Sequence, residues 1–362
     1  MKLAAIVVLA ACGGSAAKPP VEPPVVPATK SAIDPAAHLE TVSEEIGFLT
    51  PDSSNVPGTL VRPGVDGKYP AIVVFAGSGP TDRDWNNPLI KTTNGSGKLL
   101  AEALAAHGAV VVRFDKAGTG ANTTKLTGKT IDVYVDEMRA ALSYLRARPD
   151  VDTTHLYVAG HSEGGIHAMR TAIAEGDHVA GLLLLSASGR TLEDILIAQI
   201  TAQVEEKAPG QSAAILGPFK KALDDFAAGQ TIDPKSATPI PGLQVLLGAL
   251  TAIPELGRGL LTFDPVATLP KVTVPIFIYN GQHDIQVDAT IDAPKLEAAA
   301  KSTNKNVTMF LAPDADHVLK HEVRPVAELR KDLAGVAEGY NAADRNLDEA
   351  TVTAIVAWLA NH

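Results

Sequence analysis

The residues best suited to chemistry stand in a row, Gly160-His161-Ser162-Glu163-Gly164. A serine between two glycines, after the apolar run LYVA and before a helix-like stretch, is the pattern of a nucleophile on a sharp strand-to-helix corner. Such a corner forces the serine backbone into an unfavourable conformation that projects its hydroxyl. Side chains at 160 and 164 would collide with the strand and the helix. A plain glycine turn is the simpler alternative, but both flanks of the corner are present. Alone, the hydroxyl is a poor nucleophile. It needs a base that works near neutral pH, which histidine supplies, and a carboxylate that fixes the imidazole tautomer and stabilises its charged form.

On such a scaffold the acid and then the histidine follow the serine in the chain, each where a strand ends. The stretch PIFIYNGQHD ends in Asp284, with Asp288 as fallback, and VTMFLAPDADHVL carries His317, with Asp314 and Asp316 beside it. His178, His283, His321 and His362 occupy less suitable places, and His161 is expected to point into the scaffold. An attacked carbonyl also needs amide donors aimed at its developing charge. The N–H of Glu163 is one candidate. The N–H of Ser78, in the glycine-bearing loop GSGPTDRDWN, is the other. Asp82, Arg83 and Asp84 in that loop read as charges that order it.

The elements that must position these groups alternate. Segments 41–62 read as an opening antiparallel pair around the turn Pro51-Asp52-Ser53-Ser54-Asn55. Apolar strands are expected over 71–77, 109–118, 155–160, 179–188, 272–281 and 307–313. Helices are expected over 97–108, 131–148, 163–176, 293–303 and 348–362. Strands that are apolar throughout and separated by helices call for a mostly parallel sheet with helices on both faces. Their C-terminal ends then share one edge, where sites are built. Residues 190–263 break the alternation with helical runs and no clear strand, and read as a helical cap inserted over that edge.

The motifs GSGPTDRD, RFDKAGTG, GHSEGG, GQHDIQV and DHVLK, in this order, resemble those of bacterial α/β-hydrolases of the carboxylesterase type, often grouped with serine-aminopeptidase-like hydrolases. The resemblance runs from about Thr41 to the end. It implies the α/β-hydrolase fold and ester hydrolysis through an acyl-enzyme. By position it makes Ser162 the nucleophile, Asp284 the acid, His317 the base, and Ser78 and Glu163 the oxyanion donors. Two positions depart from it: Ala76 stands where many relatives have His, and Ala117 where Arg is usual. A peptidase or amidase with the same three residues is the alternative activity. A non-catalytic surface lipoprotein that uses the fold for binding is the alternative without one.

Composition narrows the rest. The 362 residues suit one large domain with insertions or two ordinary ones; the alternating pattern favours one, 38–362, with a core of aliphatic residues because aromatics make up only 4%. A net charge of -10 without a basic tract disfavours a nucleic-acid partner. The single cysteine, Cys12, rules out a disulfide within the chain and a cysteine-based zinc site. No metal or organic cofactor is expected, and the partner is a small-molecule ester. The stretch NGSGKLL lacks the first glycine and the last hydroxyl residue of a phosphate loop. Residues 1–11 have the layout of a signal peptide, with Lys2 and an apolar run too short to span a bilayer. LAAC resembles the bacterial lipoprotein signal, which implies lipidation at Cys12 and attachment to a membrane of the cell envelope, facing the periplasm or at the surface. Residues 12–37, dense in proline, read as a tether.

Overall fold

The computed structural model describes residues 33–362 apart from Leu89, and only the backbone of Glu206 and Lys207. The signal segment, Cys12 and most of the tether therefore lie outside the described residues. The packed chain starts earlier than 38. Ile33 is buried against one face of the body, and the Asp34 N–H donates to the His107 carbonyl at 3.0 Å. One large aliphatic side chain at the end of a proline-rich run is enough to dock it.

Strands β1 (Thr41–Leu49) and β2 (Asn55–Pro63) form the expected antiparallel pair. Then follow β3 (Tyr69–Phe75), α1 (Ser96–Ala106), β4 (Val110–Phe114), α2 (Asp132–Arg146), β5 (Val151–His161), α3 (Gly164–Glu175) and β6 (Gly181–Leu185). The helical insertion comes next, as α4 (Leu192–Lys207), α5 (Ser212–Ala227), α6 (Pro234–Ala237), α7 (Pro241–Ala252) and α8 (Pro254–Leu261). After it come α9 (Pro265–Thr268), β7 (Ile276–Gly281), α10 (Asp292–Lys301) and β8 (Val307–Ala312). Two short helices that the sequence did not announce, α11 (Val326–Leu329) and α12 (Leu333–Tyr340), precede α13 (Glu349–Ala360). No helix of the described residues is long and apolar enough to cross a membrane.

The eight strands lie in the order β1-β2-β4-β3-β5-β6-β7-β8, parallel from β4 onward. Alternation along each strand divides the core between two faces. Val73 and Phe75 of β3, with Leu182 and Leu184 of β6, meet Met138 and Leu142 of α2 and Ala168 and Met169 of α3. Ile72 and Val74, with Leu183 and Leu185, meet Leu100 and Leu104 of α1 and Ile355 and Trp358 of α13. Each fully buried side chain of this kind contributes about 1.5–3 kcal/mol, which is why the inner strands carry no polar face. Parallel strands deliver their exits to one edge, and α4 lines the cavity there beside Ser162.

Candidate active site

At the exit of β5 the chain turns into α3 at Ser162, whose φ is +53°. A non-glycine residue there costs about 1–3 kcal/mol and persists only where its surroundings enforce it. The enforcement is visible. A Cβ at Gly160 would overlap the Gly164 carbonyl, and one at Gly164 would lie 2.6 Å from the Ala76 carbonyl oxygen. The Ser162 N–H is held by the Leu185 carbonyl of β6 at 2.9 Å. Backbone packing on both sides thus leaves the serine at the apex with its side chain toward the sheet edge.

His317 follows β8 and Asp284 follows β7. The imidazole Nδ1 donates to Asp284 Oδ2 at 2.8 Å, and both side chains are buried. Asp284 is fixed in turn. Its Oδ1 accepts from the Gln286 and Val287 amides at 2.8 and 2.9 Å, and Oδ2 accepts from Asn280 Nδ2 at 3.3 Å. With Nδ1 committed, Nε2 is the imidazole's free nitrogen. Ser162 and His317 line one cavity. Among the described residues no hydrogen bond joins them, and bonds of this type commonly close only around substrate.

The fallback acid is elsewhere: Asp288 caps its own turn through Thr290 and faces Arg330 at 3.7 Å. Asp316 is occupied by Arg345 at 2.8 Å. His283 bonds the Arg324 carbonyl, and His321 lies at the surface beside Asp348. His161 departs from expectation. It turns toward the site, stacks on Trp85 at 4.3 Å and donates from Nε2 to the His317 carbonyl at 2.8 Å. Burial, then the neighbouring His317, lowers its pKa to about 3, so it is a neutral prop under the His317 loop.

Ser78 and Glu163 line a second cavity together with Ser162, and neither amide meets an acceptor among the described residues. They are connected from below. Lys116, whose side chain is 2% exposed, donates from Nζ to the Gly77 carbonyl and stands 3.7 Å from Glu163 Oε1. Burial pulls the Lys116 pKa down against the pull of Glu163 and Glu137. Burial would raise Glu163, but the Lys116 ammonium and the nearby His167 hold its carboxyl below the ordinary value. One buried ammonium therefore spans the loop after β3 and the first residue after the serine. Sequence reading, which ran the strand on through 118, missed it because burial of a lysine shows only in the packing; the strand ends at Phe114, and the lysine's place inside the quoted RFDKAGTG was the available signal. Asp82, Arg83 and Asp84 order their loop as expected. Arg83 clasps Asp115 at 2.8 Å, Asp82 accepts from the Asp84 and Asn86 amides at 2.9 and 2.8 Å, and Asp84 meets Arg113 at 3.2 Å. Tyr340 and Gln286, also unforeseen, bond each other at 2.7 Å on the imidazole side.

Among the described residues no three His, Cys, Asp or Glu side chains gather into a metal site. The arrangement is suited to acyl transfer. It holds an apical hydroxyl, an imidazole oriented by a carboxylate, and two amides without an acceptor among the described residues, on residues that line a cavity with that hydroxyl.

The family model described as serine aminopeptidase, S33, matches residues 92–224, which include the serine corner. Esterase EstD of Thermotoga maritima is 24% identical over 295 residues, covering 81% of this chain and 64% of that relative, so the chain spans less than two thirds of its length. An esterase of Pyrococcus furiosus superposes with a TM-score of 0.52 at 15% identity, over 86% of this chain and 100% of the other. What these likenesses share with the sheet order and the serine corner is the scaffold: this chain has the α/β-hydrolase fold.

Proposed function

We propose that this chain is a serine hydrolase that cleaves carboxylic esters through an acyl-enzyme. Ser162 Oγ attacks the ester carbonyl while His317 Nε2 takes its proton. The Ser78 and Glu163 amides hold the oxyanion, and Asp284 steadies the imidazolium. His317 then protonates the leaving oxygen, the C–O bond breaks, and the alcohol departs. Water repeats the sequence against the acyl-serine, and the acid leaves with Ser162 restored. The observation that carries the reading is the 2.8 Å bond from His317 Nδ1 to Asp284 beside the serine corner. The likeness to esterases supports it. The test is hydrolysis of 4-nitrophenyl butanoate, with Ser162→Ala expected to lose about 10⁴-fold or more in kcat. Undiminished turnover by that variant refutes the assignment.

The serine aminopeptidase match favours one second reading, cleavage of an aminoacyl amide by the same groups. Aminoacyl 4-nitroanilides turned over faster than the butanoate ester would make it the better one. We also propose, from the layout of residues 1–12 alone, that Cys12 is lipidated and holds the enzyme on a membrane of the bacterial envelope. Cys12→Ser should move the protein from the membrane to the soluble fraction; unchanged membrane recovery counts against the anchor.

A further inference from the structure

Two cavities meet at Ser162, and they are unequal. The one beyond Glu163 encloses about 110 Å³ and is walled by Ile166, Met169, Ala187, Leu192, Ile195 and Leu196. The one on the imidazole side encloses about 230 Å³ and is lined by His317, Trp85 and Tyr340. Through Gln286, Ala337 and Tyr340 it adjoins a cleft of about 580 Å³ between α4 and the pair α11–α12, which the smaller cavity touches through Gln199 and Gln286 only.

Proton traffic decides which half of an ester enters which space. His317 must hand its proton to the leaving oxygen, so the alcohol part lies on the side that His317 lines. The acyl part then faces the smaller cavity, which His317 does not line. An apolar cavity of about 150 Å³ takes a benzene molecule, so about 110 Å³ leaves room for only a few methylenes. The floor does not yield easily, since a Cβ on Gly165 of α3 would come 2.6 Å from Ala187 Cβ. Among the described residues that line it, no free cation waits for a charged acyl group either. Arg190, on this wall, is clasped to the buried Asp292 at 3.0 and 2.7 Å, and this pair also anchors the start of the cap.

We infer that the site takes esters of short, uncharged acyl groups, acetyl to butanoyl, joined to a bulkier alcohol or phenol. Ile195 and Leu196 of α4 and Met169 of α3 set the acyl limit. This rests on the Ser162–His317 reading above.

The test uses the full chain and compares kcat/KM for 4-nitrophenyl acetate, butanoate and octanoate, then for phenyl and 2-naphthyl butanoate. Octanoate should fall about ten-fold or more below butanoate, as expected when an apolar pocket is overfilled. The naphthyl ester should be turned over at least as well as the phenyl ester. Ile195→Ala/Leu196→Ala should recover most of the octanoate deficit, and Met169→Ala, outside the cap, should shift the preference the same way. Octanoate equal to butanoate in the parent enzyme, or a steep loss with the naphthyl ester, overturns the inference while leaving the esterase reading intact. Absence of turnover on every ester, together with no fluorophosphonate label on Ser162, overturns both.

Discussion

At the sheet exits the backbone itself holds the chemical groups, whereas the helical insertion after β6 rests on a core of its own. Gly160 and Gly164 admit no Cβ, Ser162 is pinned through Leu185, and Asp284 is gripped by two amides, an asparagine and an imidazole. The cap instead gathers Leu216, Phe219, Leu223, Phe226 and Leu247 into a separate apolar cluster. It meets the body through the Arg190–Asp292 clasp, the 2.9 Å bond from Gln199 to the Gln286 carbonyl, and Leu256 and Leu260 of α8. Bond-making groups sit where a small displacement would collide with backbone. Of the wall proposed to limit the acyl group, the α4 part, Ile195 and Leu196, sits where side chains can be exchanged without disturbing the sheet.

That contrast makes changes at the sheet exits cost turnover and changes in the cap cost stability or selectivity. Asp284→Asn should lower kcat by about 10⁴-fold with the fold retained, because the imidazole loses its orienting acceptor and its charged form loses a partner. Steady-state rates with matching circular dichroism check this, and a loss under ten-fold would remove Asp284 from its role. Lys116→Met should lower kcat by about 10- to 100-fold with KM nearly unchanged, less than deletion of an oxyanion donor because the lysine acts through Gly77 and Glu163. A rise in KM alone would make it a mere packing residue. Phe219→Ala, deep in the cap core, should cost about 3–5 kcal/mol of cap stability while acetate ester turnover changes little. Hydrogen exchange over 192–261 should quicken there; acceleration spread equally over β5 and β6 would deny the cap its independence.

The smallest effect concerns Glu137 beneath the site. Burial raises its carboxyl to about 8 from the ordinary 4.5, while the Ala117 amide and Asn122 bond it. The folded state therefore keeps a proton that the unfolded chain releases. The stability this group contributes is complete below about 4.5 and is lost as pH climbs through about 8. Glu137→Gln should flatten the decline of Tm between these pH values by a few degrees. An unchanged slope would place the titration elsewhere.

Much of this molecule could be read without coordinates, because its strongest physical demands are local. Continuous apolar runs such as GLLLL have no way to be half-exposed strands, and glycines at 160 and 164 answer to a close approach within a few residues of themselves. His317 was legible by its place after a strand. The hidden parts depend on distant contacts. Helices of four and eight residues, α11 and α12, are too short for a helical period, so Tyr340 went unnoticed beside the imidazole. Lys116 shows its importance only through burial, and His161 turns toward the site because Trp85 and the His317 carbonyl receive it there.

The most direct trial of the proposed chemistry is mass spectrometry of the intact chain after exposure to a fluorophosphonate. One adduct is expected, on the peptide bearing Ser162, formed orders of magnitude more slowly when His317→Ala removes the base. A correctly folded chain that acquires no adduct, or acquires it at the same rate without His317, would contradict the proposal.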